Sequence, residues 1–83
     1  MKFKAEIDVM PLKALLDPQG KAVSSSMSNV GLSQITNVRI GKHMTLEVEA
    51  SSEEQANELV NKACKDILCN QIMEEYHFTI TAL

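Results

Sequence analysis

Alternation between apolar and polar residues predicts four β-strands in this chain. The first segment alternates apolar and charged residues over positions 2–9, which is the period of a strand with one buried face. The same period recurs on both sides of Gly41 and again before the C-terminus. The positions that share one face in each strand are Phe3, Ala5, Ile7 and Val9; Thr36, Val38 and Ile40; Met44, Leu46, Val48 and Ala50; and Tyr76, Phe78, Ile80 and Ala82.

The second and third strands are predicted to form a hairpin with a loop at residues 41–43. Directly paired residues of a hairpin point to the same face of the sheet. A two-residue turn would pair Ile40 with His43 and mix apolar with polar side chains, whereas the three-residue loop pairs Ile40 with Met44. An odd loop or an equivalent bulge is therefore expected.

A first helix is predicted over residues 18–30, between the first two strands. Asp17 is a good capping residue and Pro18 suits the first helical position. Gly31 supplies a left-handed stop at the other end.

The second helix has the clearest helical pattern. Ser51 or Ser52 is expected to cap it, with Glu54 or Gln55 completing a capping box. Its apolar residues recur with helical spacing and are predicted to face the sheet: Ala56, Leu59, Val60, Ala63, Ile67 and Leu68.

The element order β-α-β-β-α-β, with one apolar face on every strand, predicts an α+β fold. This is a ferredoxin-like sandwich, in which an antiparallel sheet carries both helices on one face. Residues 1–83 are expected to form a single domain, because 83 residues are too few for two ordinary cores. The other sheet face has mixed charged and polar residues, which suit either water or a second sheet.

Composition and charge exclude several classes of function. The net charge of −3 argues against nonspecific binding of nucleic acid. It divides into +3 over residues 1–46 and −6 over residues 47–83, so different faces suit different partners. The pattern predicts neither a secretion signal nor a membrane span, and the cytoplasm is the expected location. Cys64 and Cys69 are about 140° apart in helical projection, and they are expected to be packing or surface thiols.

Residues with catalytic chemistry are few. His43 and His77 are the only histidines and are expected at the surface, and no Cys or Ser has an obvious partner nearby. No carboxylate pair stands out for acid and base roles. Gly20 and Lys21 lack the other residues of a phosphate-binding loop. The aromatic residues are assigned to the buried face and no CxxC follows the first strand, so neither RNA binding nor copper transport is expected.

Two loops contain residues that packing alone does not explain. Asp17–Lys21 is predicted to be a rigid corner with a glycine at the third helical position, which helix propensity disfavours. A partner that approaches the backbone closely would explain this glycine. Arg39–Lys42 is a cationic hairpin tip of the kind that docks on an acidic surface. The plainer interpretation assigns the glycines to turn geometry and the lysines to solubility.

The same two loops resemble those of the PurS family, the small subunits of phosphoribosylformylglycinamidine synthase. The resemblance rests on Leu16–Val23, Val38–Lys42 and the tail Cys69–Tyr76, in this order and spacing, and it extends nearly end to end. The serines at Ser24–Ser26 and Ser28 depart from the helix-favouring residues expected there.

The resemblance implies a non-catalytic subunit of an ATP- and glutamine-dependent ligase complex in purine biosynthesis. Such subunits act beside a glutaminase subunit, PurQ, and a synthetase subunit, PurL, which uses ATP and Mg²⁺. The implied role is to form a homodimer or a dimer of dimers, bridge the two larger subunits and support ammonia transfer. No cofactor and no activity are expected of the chain alone. The implied partner contacts are Asp17, Pro18, Gln19, Gly20, Lys21, Arg39, Gly41 and Lys42.

Two alternatives from other classes stay open. A small dimeric regulatory module of the same topology would bind an amino acid or another metabolite. An independent small enzyme would show turnover without other subunits. Neither has a sequence feature as specific as the two loops.

Overall fold

The computed structural model describes residues 1–15 and 17–83, in which it places three strands and two α-helices. Leu16, the first residue of the resemblance to PurS, lies outside the described residues. A π-helical turn at Cys64–Leu68 continues the second helix. The regular elements are β1 (Lys2–Pro11), α1 (Pro18–Asn29), β2 (Lys42–Glu49), α2 (Glu53–Ala63) and β3 (Glu74–Ala82).

The sheet is antiparallel, with β1 in the centre between β2 and β3. The alternation predicted for β1 is observed, since every second side chain from Phe3 to Val9 is buried. Ile7 lies opposite Met44 of β2 and Phe78 of β3, so apolar side chains of all three strands share one face. α2 packs on this face. The predicted ferredoxin-like α+β class is confirmed.

The strand predicted at residues 36–40 is wrong, and so is the hairpin that paired Ile40 with Met44. No strand is assigned between α1 and β2, and Met44 lies opposite Ile7 of β1 instead. Asn37 has a φ of 56°, in the left-handed region, and so interrupts the extended run. Two backbone N–H groups of this segment donate to side chains on or next to α1 and are not available for β2. The described sheet therefore has three strands.

α1 stands away from the sheet. Among the described residues it makes hardly any contact with the strands or with α2, and Gly20 is its one buried residue. The prediction that the helices cover one face of the sheet therefore holds for α2 and fails for α1, whose serine-rich surface offers few apolar side chains. The molecule is elongated, measuring 51 × 27 × 14 Å along its principal axes. The predicted ends of α1 are confirmed, with Asp17 as the cap and Gly31 at a φ of 81°.

The π-helical turn changes which residues of the second helix are buried. A π turn holds more residues than an α turn, so it rotates the side chains that follow it. Cys64 is fully buried, whereas Ile67 is 81% exposed, and the prediction that Ile67 faces the sheet is wrong. Leu68 packs against the core as predicted. Cys64 and Cys69 are free and buried, which confirms their packing role.

The sheet face opposite α2 carries the predicted mixture of charges. Lys2 pairs with Glu47, and His43 Nδ1 lies 2.7 Å from Oδ1 of Asp8, with all four side chains more than half exposed. His77 lies opposite Asp8 on the other neighbouring strand. Ion pairs this exposed contribute little to stability. None of the helices in residues 1–15 and 17–83 combines the length and the apolar character that a bilayer crossing needs.

Candidate functional site

The two loops that the sequence singles out meet in the structure. We refer to residues 17–21 and 38–42 together as the corner. The corner lies where the end of β1, the first turn of α1 and the start of β2 come together. Side-chain hydrogen bonds join residues that are 23 positions apart in the sequence.

Asp17 connects the two loops of the corner. Its Oδ1 accepts a hydrogen bond from the N–H of Gly20 at 3.0 Å, and its Oδ2 accepts one from the N–H of Ile40 at 2.9 Å. The side chain is only 10% exposed. These two backbone donors, with the guanidinium of Arg39, outweigh desolvation and lower the pKa of the Asp17 carboxyl from its ordinary value. Asp17 is therefore both the cap of α1 and the link to the second loop.

Gly20 permits the closest approach between the two loops. A Cβ atom added at this position would lie 2.1 Å from the carbonyl oxygen of Val38 and 2.6 Å from Oδ2 of Asp17. One helical turn further along, Ser24 Oγ accepts a hydrogen bond from the N–H of Val38 at 3.0 Å. The close approach that the sequence assigns to a partner is thus made by the chain itself.

Arg39 attaches the second loop to the end of β1. Its Nη2 donates to the carbonyl oxygens of Pro11 at 2.9 Å and Leu12 at 3.1 Å. Its Nε lies 3.5 Å from Oδ2 of Asp17. Hydrogen bonds from a charged donor are stronger than neutral ones. These contacts hold the loop against β1 and α1.

Gly41 and Lys42 form the part of the corner that faces β1 and β3. A Cβ atom on Gly41 would lie 2.3 Å from both the carbonyl oxygen of Val9 and the Sδ of Met10. The Nζ of Lys42 lies 3.5 Å from Oε2 of Glu74, and the Lys42 side chain is 61% exposed. The backbone is therefore closely packed here, while the ammonium group remains at the surface.

A groove of about 720 Å³ opens between the first turn of α1, the start of β2 and the turn before β3. Pro18 and Gln19 line the groove on the α1 side, and Lys42 lines it on the β2 side. Met73 lines the third side and is 54% exposed. The groove thus combines apolar surface with one exposed ammonium group, that of Lys42, which is paired with the carboxylate of Glu74 on the same rim.

The predicted site residues divide into two groups. The first group makes its hydrogen bonds and close contacts with other residues of this chain and is at least half-buried: Asp17, Gly20 and Arg39. The others are exposed, and their contact with a partner stays a prediction: Pro18, Gln19, Lys21, Gly41 and Lys42. The structure brings all of them into the corner, with the first group as its frame and the second at its surface.

Two residues contribute hydrogen bonds that the sequence does not predict: Ser24, next to the corner, and Ile40, within it. Ser24 appears in the sequence only as a poor helix former, and Ile40 only as an apolar strand position. Ser24 follows Gly20 by four positions, and residues with this spacing lie on the same side of a helix. That spacing was the available signal for Ser24, whereas nothing local indicates that the N–H of Ile40 meets Asp17.

The groups that the corner and its groove expose include an ammonium group and apolar surface. Within residues 1–15 and 17–83, no group of three His, Cys, Asp or Glu side chains is placed to hold a metal ion. Both histidines are exposed, as predicted. The fold and the corner therefore define a small ferredoxin-like α+β protein in which two closely bonded loops lie beside an open groove.

Comparison with known proteins identifies the family. A family model described as PurS, phosphoribosylformylglycinamidine (FGAM) synthase, matches residues 4–82. The chain belongs to the PurS family, and its function is that of a subunit of FGAM synthase in purine biosynthesis. The resemblance found in the two loops is confirmed.

Individual relatives agree with this assignment over nearly the whole chain. The PurS subunit of Synechocystis is 40% identical over 81 residues, covering 98% of this chain and 81% of the relative. The PurS subunit of Thermotoga maritima is 38% identical over 74 residues, covering 89% and 90%. A chain in the structure of PurLQS from Thermotoga maritima superimposes with a TM-score of 0.89 at 34% identity, covering 98% of this chain and 99% of that one.

Proposed function

We propose that this chain joins a PurL-like synthetase subunit to a PurQ-like glutaminase subunit and supports the passage of ammonia between them. The corner carries the proposal, because its groove has an exposed rim on a frame fixed by Asp17, Gly20 and Arg39. A fixed frame reduces the conformational entropy that is lost when a partner docks. The similarity to a chain of PurLQS from Thermotoga maritima supports such an assembly.

The chemistry of ammonia explains why such a joint is needed. In bulk water, ammonia is protonated and escapes, so two catalytic centres that exchange it need a closely fitted, water-excluding connection. In this proposal the chain supplies no catalytic residue and no cofactor. ATP and Mg²⁺ are used by the synthetase subunit, and the complex works in the cytoplasm.

The wild-type chain is expected to raise glutamine-dependent turnover when it is added to the two larger subunits. Lys42→Glu reverses the charge at the groove rim and places a carboxylate beside Glu74. We expect it to weaken assembly about tenfold through the lost charge complementarity. Titration of the variant into the two larger subunits, followed by turnover and by size-exclusion chromatography, measures this.

Lys62→Glu is the matched control, since Lys62 is exposed in the last turn of α2 and does not line the groove. This variant is expected to assemble like the wild type. If adding the wild-type chain leaves glutamine-dependent turnover unchanged, the joining role is wrong. If Lys42→Glu assembles as well as Lys62→Glu, the groove is not the docking surface.

We also propose that the chain associates with itself, as a dimer or a dimer of dimers. α1 does not pack on the sheet, and the residues after it expose apolar side chains: Val30 is 70% exposed, and Leu32 and Ile35 are each 44% exposed. The three residues lie within positions 30–35, and an exposed apolar patch favours association. The outer edges of β2 and β3 are also unpaired within the described sheet, and open edges favour pairing with another chain.

Ile35→Asp is expected to shift self-association toward the monomer by at least about tenfold in Kd, because a charge would replace apolar contact area. Sedimentation equilibrium of the purified chain measures this shift. Ile67→Asp is the control, since Ile67 is even more exposed but lies on the π-helical turn. A wild-type chain that sediments as a monomer, or two variants that weaken association equally, would contradict the proposed interface.

A further inference from the structure

The sheet face opposite α2 is exposed on all three strands. α2 packs on the other face, and within the described residues α1 makes hardly any contact with the strands. We call the exposed side chains of this face the polar face: Lys2, Lys4, Glu6 and Asp8 of β1; His43, Thr45, Glu47 and Glu49 of β2; and His77, Thr79 and Thr81 of β3. They neither line the groove nor belong to residues 30–35, so the contacts proposed above do not use these side chains.

The central strand of the polar face carries its charges in a self-complementary order. Lys2 and Lys4 are followed by Glu6 and Asp8. Within one copy, Nζ of Lys4 and Oε1 of Glu6 are 3.9 Å apart, a long distance for an ion pair. When two copies lie face to face with antiparallel β1 strands, a twofold axis at the position of Ala5 places Lys2 opposite Asp8 and Lys4 opposite Glu6. Every charge on one β1 strand then faces a charge of opposite sign on the other.

The two outer strands are complementary about the same axis, which lays β2 over β2 and β3 over β3. Their side chains lie in rows with those of β1, so the axis also fixes which of them face each other. The facing pairs, one residue from each copy, are Glu49 with His43, Glu47 with Thr45, and Thr79 with Thr81. Each pair joins a hydrogen-bond acceptor to a group that can donate. No two like charges face each other in these pairs.

The ion pairs within one copy do not prevent this contact. Nζ of Lys2 lies 3.1 Å from Oε1 of Glu47, but the two side chains are 57% and 58% exposed. Asp8 contacts His43, whose ring is charged only when it is protonated. Pairs this exposed contribute little to stability. Exchanging them for pairs between two copies therefore costs little.

We propose that the polar face binds the polar face of a second copy, and that this contact joins two dimers into a tetramer. The inference rests on the self-association proposed above, in which residues 30–35 and the strand edges form the first contact. Two separate self-complementary surfaces on one chain produce a closed dimer of dimers. Because charges at the polar face hold the second contact together, salt is expected to weaken it.

Sedimentation velocity of the full chain at two salt concentrations tests this dependence. The tetramer is expected at low salt. Raising NaCl from about 50 mM to about 500 mM is expected to raise the Kd of the contact between dimers at least about tenfold. Dimers then become the main species.

Two charge reversals test the pairing of Lys2 with Asp8. Lys2→Glu and Asp8→Lys each make like charges face each other twice in the contact, and each variant alone is expected to raise its Kd at least about tenfold. An equimolar mixture of the two variants is expected to restore the tetramer, since the new carboxylate of one meets the new ammonium group of the other. Positions 2 and 8 are about 20 Å apart along one strand, so this restoration cannot arise within one copy.

Lys62→Glu and Asp66→Lys are the matched controls, because these charges lie on α2 and the π-helical turn. Both are expected to form the tetramer. The inference is overturned if Lys2→Glu associates as tightly as Lys62→Glu, or if the mixture of Lys2→Glu and Asp8→Lys stays dimeric. A wild-type chain that remains a dimer at low salt overturns this inference alone, whereas a monomer also contradicts the proposed self-association.

Discussion

Gly20→Ala is expected to lower the free energy of unfolding by about 2 kcal/mol, the usual range for overpacking a closely fitted site. The added Cβ would lie 2.1 Å from the carbonyl oxygen of Val38. That oxygen belongs to the backbone, so no side-chain rotation relieves the overlap. α1 and the second loop must move apart, which lengthens the hydrogen bond from Ile40 to Asp17. Urea unfolding followed by circular dichroism measures the loss.

Helix propensity alone would raise the free energy of unfolding of Gly20→Ala. The sign of the measured change therefore distinguishes helix propensity from steric overlap. Alanine is favoured over glycine inside a helix by about 1 kcal/mol. The same substitution at a glycine without close contacts would therefore stabilise the protein. Ser25→Ala is the control, because Ser25 is exposed on the same helix. It is expected to leave stability unchanged or to raise it slightly. If Gly20→Ala unfolds at the same urea concentration as Ser25→Ala, the close approach is wrong.

The local features of α1 could be predicted from the sequence because each depends on neighbouring residues. Asp17 as the cap, Pro18 in the first turn and Gly31 as the stop all follow from intrinsic preferences and all are observed. The second bond of Asp17, to the N–H of Ile40, joins positions 23 residues apart and has no local signal. The corner could therefore be recognised as important from its residues, but its internal bonding required the structure.

Two predictions are wrong for related physical reasons: the strand at residues 36–40 and the burial of Ile67. Residues 36–40 have the alternation of a strand, but alternation does not say which groups receive the backbone N–H bonds. Here Ser24 and Asp17 receive two of them. Ile67 has the spacing of a buried α-helical residue, but the π-helical turn changes that spacing. The spacing of apolar residues along the sequence cannot by itself reveal such a change.

In the proposed function, the surface of the corner depends on its frame. Pro18, Gln19 and Lys42 can meet a partner in a fixed arrangement only while Asp17 and Arg39 hold the two loops together. A motif shared with a family of assembly subunits therefore need not consist of contact residues alone. Part of it keeps the contact residues in position.

Asp17→Asn is expected to loosen the corner although asparagine is itself a good capping residue. The carboxylate accepts two backbone N–H groups, one on each oxygen. An asparagine side chain offers one accepting oxygen, and its amide group would face a second donor. We expect the amide hydrogen of Ile40 to exchange at least about tenfold faster, since it loses a partly buried acceptor. Hydrogen exchange measured by NMR, with Asp66→Asn as a control for the lost charge, checks this.

Acidification provides an independent test of whether the charge of the Asp17 carboxylate stabilises the corner. Hydrogen bonds from Gly20 and Ile40, with Arg39 nearby, lower the pKa of its carboxyl from the ordinary value of 3.8. Because the folded-state pKa is the lower one, the stabilisation is complete above the unfolded-state pKa and is lost as pH falls through the folded-state pKa. The wild type should therefore exceed Asp17→Asn in urea midpoint at about pH 6, and the difference should shrink below about pH 3. A difference that stays constant on acidification would show that Asp17 stabilises the corner without its charge.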